Sequence, residues 1–179
     1  MAGDGIVIDY QGAAVNEYLT QLAMRCDAPE PAMGAIAEEL LAIVQGNFIA
    51  NGRPAWVALK PATVKARGGN ATPILRVKGD LFSSIQPEHD ATSAQVGTNL
   101  IKALILNSGG TIDRAAYSVP NVEFKGRKFA KKGKGTSKKN VTIGAHSITI
   151  PARPFMMIPD GEEIGIIDIL RNFLITGQT

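Results

Sequence analysis

Met33, Ile36, Ala37, Leu40, Leu41, Val44 and Phe48 recur at offsets of three and four residues. An apolar stripe this continuous predicts a helix with one face buried against a sheet or another helix. Pro31 suits the first helical position, and Asn51-Gly52 supplies a stop. The core must rest on apolar burial. With one cysteine the chain cannot form an internal disulfide, and with two histidines it has no Cys/His zinc set. Its 179 residues are 45% hydrophobic and 20% charged, enough for one domain with a core and an extended arm. No stretch approaches the roughly 18 apolar residues of a membrane span. The opening Met1-Ala2-Gly3-Asp4-Gly5 lacks the pattern of a secretory signal. We therefore expect synthesis and assembly in a cytoplasm, with no membrane partner.

Other segments read less cleanly. Ile6-Val7-Ile8 predicts a short first strand. Val15, Tyr18, Leu19, Leu22, Ala23 and Cys26 form a second helical stripe, which makes Cys26 a small buried hydrophobe rather than a reactive thiol. Trp56 is expected to fold over the core edge and close its loop. A short helix should start at Lys60-Pro61 and end near Gly68-Gly69. Ile74, Leu75, Leu81, Phe82 and Ile85 suggest another helical face, interrupted by Gly79. Residues 92–97 read as a strand. Leu100 to Leu106 is apolar, but too short to separate strand from helix. Val141/Ile143 and Ile148/Ile150 alternate in different phases, so a turn or bulge is expected at Gly144-Ala145-His146. His89 and His146 read as polar loop residues. Asp160 with Glu163 resembles a capping box, and Gly177 a stop, around a last helix. Its stripe is Ile166, Ile167, Ile169, Leu170, Phe173 and Leu174. Ile164 and Ile175 fall off that stripe, which points to a subunit contact.

Charge is unevenly distributed. Lys125, Arg127, Lys128, Lys131, Lys132, Lys134, Lys138 and Lys139 lie in one window without Asp or Glu. The whole chain is formally +3; without that window, 11 basic and 16 acidic residues leave −5. Residues 111–140 hold this cluster, several glycines and few large apolar side chains. They predict an exposed loop or hairpin arm, ordered only against a partner. Three uses compete: docking on an acidic protein face, weak sequence-independent contact with DNA phosphates, or a solvated loop.

Catalytic motifs do not emerge. Gly133-Lys134 is followed by Gly135 where a phosphate loop needs Ser or Thr, and no G-x-S-x-G elbow occurs. Neither histidine has a triad partner that stands out in the sequence, and the carboxylates are scattered. We expect no enzyme activity and no metal.

Several local patterns, taken in order, carry a resemblance. They are Phe48, Asn51-Gly52, Pro54, Trp56, Leu59, Pro61 and Thr63; Ile74-Leu75, Gly79, Leu81 and Ser84-Ile85; Val96-Gly97-Thr98; Asn107 to Gly110; and Pro151-Ala152-Arg153-Pro154-Phe155 before the last helix. The chain resembles the Mu-like phage virion morphogenesis proteins, the tail-completion or neck family. The resemblance implies an α+β fold, a small, mostly antiparallel sheet packed with amphipathic helices, in one domain with an arm at about 111–140. It implies a structural protein without catalytic residues or cofactor, forming a ring of six copies at the neck. Such a ring completes the tail and joins it to the head. Its partners would be itself, the adjacent head-tail connector, and tail tube or terminator proteins, with weak contact to DNA in the lumen. Arg153, held between prolines, would bridge to a carboxylate in its own chain or the next, and Phe155 would join the subunit contact. The alternative is a small nucleic-acid-binding protein acting through the basic arm.

Overall fold

A computed structural model describes residues 12–179; the strand expected at Ile6–Ile8 lies outside the described residues. The fold class is α+β, and the chain divides into two compact units. The first comprises residues 12–100 and Phe155–Thr179, the second Ile101–Pro154.

In the first unit, α1 (Ala13–Asp27) and α2 (Glu30–Ile49) follow the two stripes. Pro31 sits in the first turn of α2. The buried side of α2 is wider than one stripe, taking in Ala32, Ile36, Ala37, Ile43, Val44, Asn47 and Phe48. The cause is packing on two sides, with a β-hairpin against one flank and the last helix against another. This also corrects the membrane-span expectation. By length and composition α2 reaches the hydropathy of a span, with a mean of 1.2. Its apolarity serves the core.

The chain leaves α2 through Asn51 and Gly52, both with positive φ. Gly52 is required there: a Cβ would lie 2.5 Å from Trp56 Cδ1 and 2.6 Å from the Pro54 carbonyl oxygen. Trp56 closes the core edge as expected, its ring edge-on to Phe48 at 5.7 Å. Phe48 is the hub of this core, with Phe82 at 5.7 Å and Phe155 at 5.0 Å. The short helix α3 (Pro61–Ala66) starts at Pro61 as expected.

The helix expected from Ile74 shrinks to a single turn, α4 (Asp80–Ser83). Leu75 and Gly79 take positive φ, and the Ile74 amide donates to Asn51 Oδ1 at 2.8 Å, so the segment before α4 is a turn. Ile85 instead opens β1 (Ile85–His89), paired antiparallel with β2 (Ala94–Thr98). Pro87 is tolerated in β1 because that strand has a neighbour on one side only. Asp90 closes the hairpin by accepting the Thr92 and Ser93 amides. The Thr92 amide leads the interactions that hold its carboxyl below the usual range.

The last helix, α6 (Glu163–Thr176), ends at Gly177 in the left-handed conformation, as expected. Its start differs. No side chain caps the first turn in the expected Asp160 manner; Glu163 instead reaches back to the Gly161 amide at 2.8 Å.

In the second unit, α5 (Ile101–Ser108) settles the ambiguous apolar run as helix. It turns at Gly109, where a Cβ would lie 2.6 Å from the Ala152 amide nitrogen. Five strands follow: β3 (Gly110–Arg114), β4 (Tyr117–Lys125), β5 (Lys128–Phe129), β6 (Ser137–Ile143) and β7 (His146–Ile150). The sheet is therefore not single. Among the described residues there are three small antiparallel sheets, β1-β2, β3-β7 and β5-β4-β6.

Candidate interaction surfaces

The expected arm at 111–140 is a strand-built ribbon that extends beyond those bounds. Arg114 lies opposite His146 and Tyr117 opposite Ile143, so β3-β7 and β4-β6 keep one register across the break between them. Residues 144–145 are where the chain leaves one ladder for the other, which explains the change of phase. A bulge between Val119 and Val122, with Asn121 at φ 55°, is a second irregularity. The expectation of order only against a partner is corrected: backbone pairing gives the arm a structure of its own.

Residues directly opposite in a ladder share a face. Tyr117 with Ile143, and Val119 with Val141, put apolar groups on one face; Phe124 continues it and packs on Phe129 at 5.1 Å. Ser118 with Thr142, joined at 3.0 Å, and Glu123 with Lys138 lie on the other. On this face Tyr117 is 42% exposed, while Val119, Phe124, Val141 and Ile143 are half-buried.

At the tip, Lys125, Lys128, Lys131 and Lys134 line a shallow hollow with Phe129 and Ala130. Phe129 is 72% exposed. Glu123 is a carboxylate beside this cluster, and it serves the backbone. It accepts the amides of Gly135 at 3.0 Å and Lys134 at 3.1 Å, with Lys138 Nζ 4.0 Å away. The Gly135 amide leads the causes that hold its carboxyl below the usual range. Gly135 is required, since a Cβ there would meet Glu123 Cβ at 2.6 Å. Of the eight basic residues of the window, Lys125, Lys128, Lys131 and Lys134 share the tip hollow, while Lys138 and Lys139 lie on β6 opposite Glu123 and Val122; all eight are exposed, and all but Lys138 lack a carboxylate partner among the described ion pairs.

The second surface belongs to α1 and α6. No residue of α1 is buried, and of α6 only Phe173 is. Arg25 fastens α1 to the end of α6 by donating to the Leu174 and Ile175 carbonyls, both at 2.7 Å. Ile164 and Ile175 are 58% and 52% exposed, in keeping with their positions off the stripe. Ile167 and Leu170, expected on the buried stripe, are exposed as well. So are Tyr18 and Leu19. Cys26 is exposed, which corrects the expectation of a buried thiol.

Two sequence candidates fall inside the fold. Phe155 has no exposed surface and packs on Phe48; such a ring offers nothing to a neighbouring copy as the fold stands. Arg153 is 6% exposed, and burial pushes its guanidinium below the usual range. Its amide donates to the Leu106 carbonyl at 3.0 Å.

Sequence reasoning missed a polar clamp. Asn47, fully buried, donates through Nδ2 to the Phe155 and Met157 carbonyls, each at 2.9 Å. Its Oδ1 accepts Arg53 Nε at 2.9 Å. Arg53 also donates to the Ile43 carbonyl at 2.9 Å and pairs with Glu162. Glu162 is thus a clamp member as well as a residue at the helix start. The available signal was an asparagine set beside Phe48 within an apolar helix.

Residues 10–175 match the phage virion morphogenesis family. The chain belongs to that family. The match takes in both units, so the ribbon and the helical surface both lie within its span. The chain is also 30% identical over 159 residues to the Mu-like prophage FluMu G protein 2 of Haemophilus influenzae, covering 89% of this chain and 88% of that one. No solved structure matches. Membership makes this a protein of phage virion morphogenesis. Among the described residues, no group of three or more His, Cys, Asp or Glu is placed to share a metal ion.

Proposed function

We propose that the protein is a structural component of the head-tail neck, where copies form a ring that completes the tail and joins it to the head. The observation that carries this reading is the apolar surface left open on α1 and α6, with Ile164 and Ile175 more than half exposed. Helices with open apolar residues on this scale suit a contact between subunits. Family membership supplies the setting. The ribbon adds reach: its paired strands would span up to about 50 Å if straight. Six copies in the ring, and connector and tail tube or terminator proteins as neighbours, belong to the same proposal.

The test is removal of the gene from its source genome, followed by negative-stain imaging of the lysate. Full heads beside separate tails are the expected outcome. Intact infectious particles would refute the neck role. Missing or empty heads would move the protein to capsid assembly.

A further inference from the structure

We propose that the ribbon tip of one copy docks on the α1/α6 surface of a second copy. This deepens the ring reading and rests on it, by naming which surface meets which.

The ribbon needs a cover of particular chemistry. Tyr117 on its apolar face is 42% exposed, and Phe129, 72% exposed, stands among four lysines. Glu123 is engaged by the Lys134 and Gly135 amides and by Lys138, so the tip's positive charge is not neutralised locally. The occupant should offer apolar side chains and carboxylates together. Nucleic acid phosphate would answer the lysines and leave Tyr117 and Phe129 without an apolar partner.

The rest of the chain offers that combination. Residues 101–154 hold eleven basic and two acidic residues, a formal +9; residues 1–100 and 155–179 hold eight basic and fourteen acidic, a formal −6. The negative charge concentrates on the helices. Residues 12–49 and 155–179 carry nine carboxylates against Arg25 and Arg171. Arg25 is committed to the α6 carbonyls and Arg171 to Asp168, at 2.7 Å. Glu17 and Asp27 on α1, and Glu38 on the neighbouring α2, are exposed and take part in no ion pair among the described residues. Tyr18, Leu19, Ile164 and Ile175 supply exposed apolar contacts on α1 and α6. A basic, apolar ribbon and an acidic, apolar helical surface on one chain form a complementary pair. Joined between copies, they make a head-to-tail contact that repeats around a ring.

The experiment mixes isotopically labelled and unlabelled full-length protein at low salt. Assembled mass is read by light scattering, and zero-length Lys–carboxylate cross-links are mapped by mass spectrometry. The expected result is cross-links between copies from Lys128, Lys131 or Lys134 to Glu17, Asp27 or Glu38. The triple variant K128E/K131E/K134E should weaken assembly about tenfold or more at low salt, less at high salt. Mixing it with E17K/D27K/E38K should restore assembly, which a variant that merely misfolds would not do. Assembly without these cross-links, or untouched by the charge reversal, would overturn the docking and leave the ring reading standing. Cross-links confined to single copies would also overturn it, as would salt-sensitive binding of an oligonucleotide by the tip without inter-copy links. Absence of both assembly and links would overturn the docking too, with the ring judged separately by the virion micrographs.

Discussion

Truncating Asn47 to alanine removes three hydrogen bonds from one buried point. The side chain has no exposed surface. Its Nδ2 serves the Phe155 and Met157 carbonyls and its Oδ1 serves Arg53 Nε, all at 2.9 Å. The hydrogen bond to the Phe155 carbonyl is buried, and its loss there is not made good by water. That alone costs about 1–3 kcal/mol. The other two groups are part-buried, so each adds less, and the lost volume adds a small cavity. The expected total is about 3–5 kcal/mol, a large share of the roughly 5–15 kcal/mol that holds a domain together. Arg53→Ala should cost less, because the Arg53 and Glu162 side chains are 32% and 34% exposed and water screens their pairing. Asn47→Asp separates donor from acceptor. It keeps the oxygen that faces Arg53 and turns a carboxylate oxygen toward two carbonyls, so it should be about as damaging as alanine. The assay is urea unfolding followed by the fluorescence of Trp56, the sole tryptophan, which is 7% exposed and packed on Phe48. A loss under about 1 kcal/mol for Asn47→Ala, at unchanged m-value, would refute the reasoning. A benign Asn47→Asp would show that the donor bonds do not matter.

Gly52→Ala should cost about 2–3 kcal/mol in the same assay, since φ is 106° and the new Cβ would strike Trp56 and Pro54; an unchanged midpoint would count against the packed turn. Glu123 has a folded pKa below its unfolded value, so its stabilising effect on the ribbon tip is present above the unfolded pKa and is lost as pH falls through the folded pKa. Amide exchange at Gly135, normalised for intrinsic rate, should therefore gain protection loss on acidification in the wild type and show little pH response in Glu123→Gln. Equal pH responses in the two proteins would disprove that linkage. Cys26 should react with a thiol reagent in the native state without denaturant, because it is exposed; reaction only after unfolding would mean that α1 is covered.

The sequence made α2 legible because a stripe repeated through sixteen positions, Met33 to Phe48, leaves few alternatives. The same periodicity misled at Ile74 to Ile85. Those apolar residues are inward-facing in the fold, with Ile74, Leu81 and Ile85 all buried, yet they sit on a turn, one helical turn and a strand. Spacing reported burial correctly and conformation wrongly, since the positive φ of Leu75 is not written in any propensity. The ribbon was hidden for a different reason. Strands are recognised by alternation against a core, and Lys138, Lys139 and Asn140 have no core beneath them. The charge cluster could be located but not its scaffold. The clamp joins residues as far apart as Arg53 and Glu162, and only the fold brings them together. Of the subunit-contact candidates, Ile164 and Ile175 were readable as exposed side chains because misfit to a helical stripe is a local property. Phe155 and Arg153 were not, because a proline-framed segment looks the same whether it faces water or Phe48.

The separation of charge between the units bears on how copies can associate. Two copies of residues 101–154 brought together would oppose +9 to +9, and two copies of the rest −6 to −6, so contacts between like units are disfavoured electrostatically. Only the unlike pairing gains. An unlike pairing is heterologous, and a heterologous contact leaves each copy with one surface still open. Such a contact does not stop at a dimer; it closes into a ring or continues as a filament, according to the rotation between successive copies. The apolar residues on α1, on α6 and on the ribbon face then contribute an attraction that salt does not screen, while the charges select the partner surface and the register. Assembly that weakens with salt but persists would fit both contributions. Assembly that strengthens with salt would mean that apolar contacts act alone, between surfaces whose charges repel.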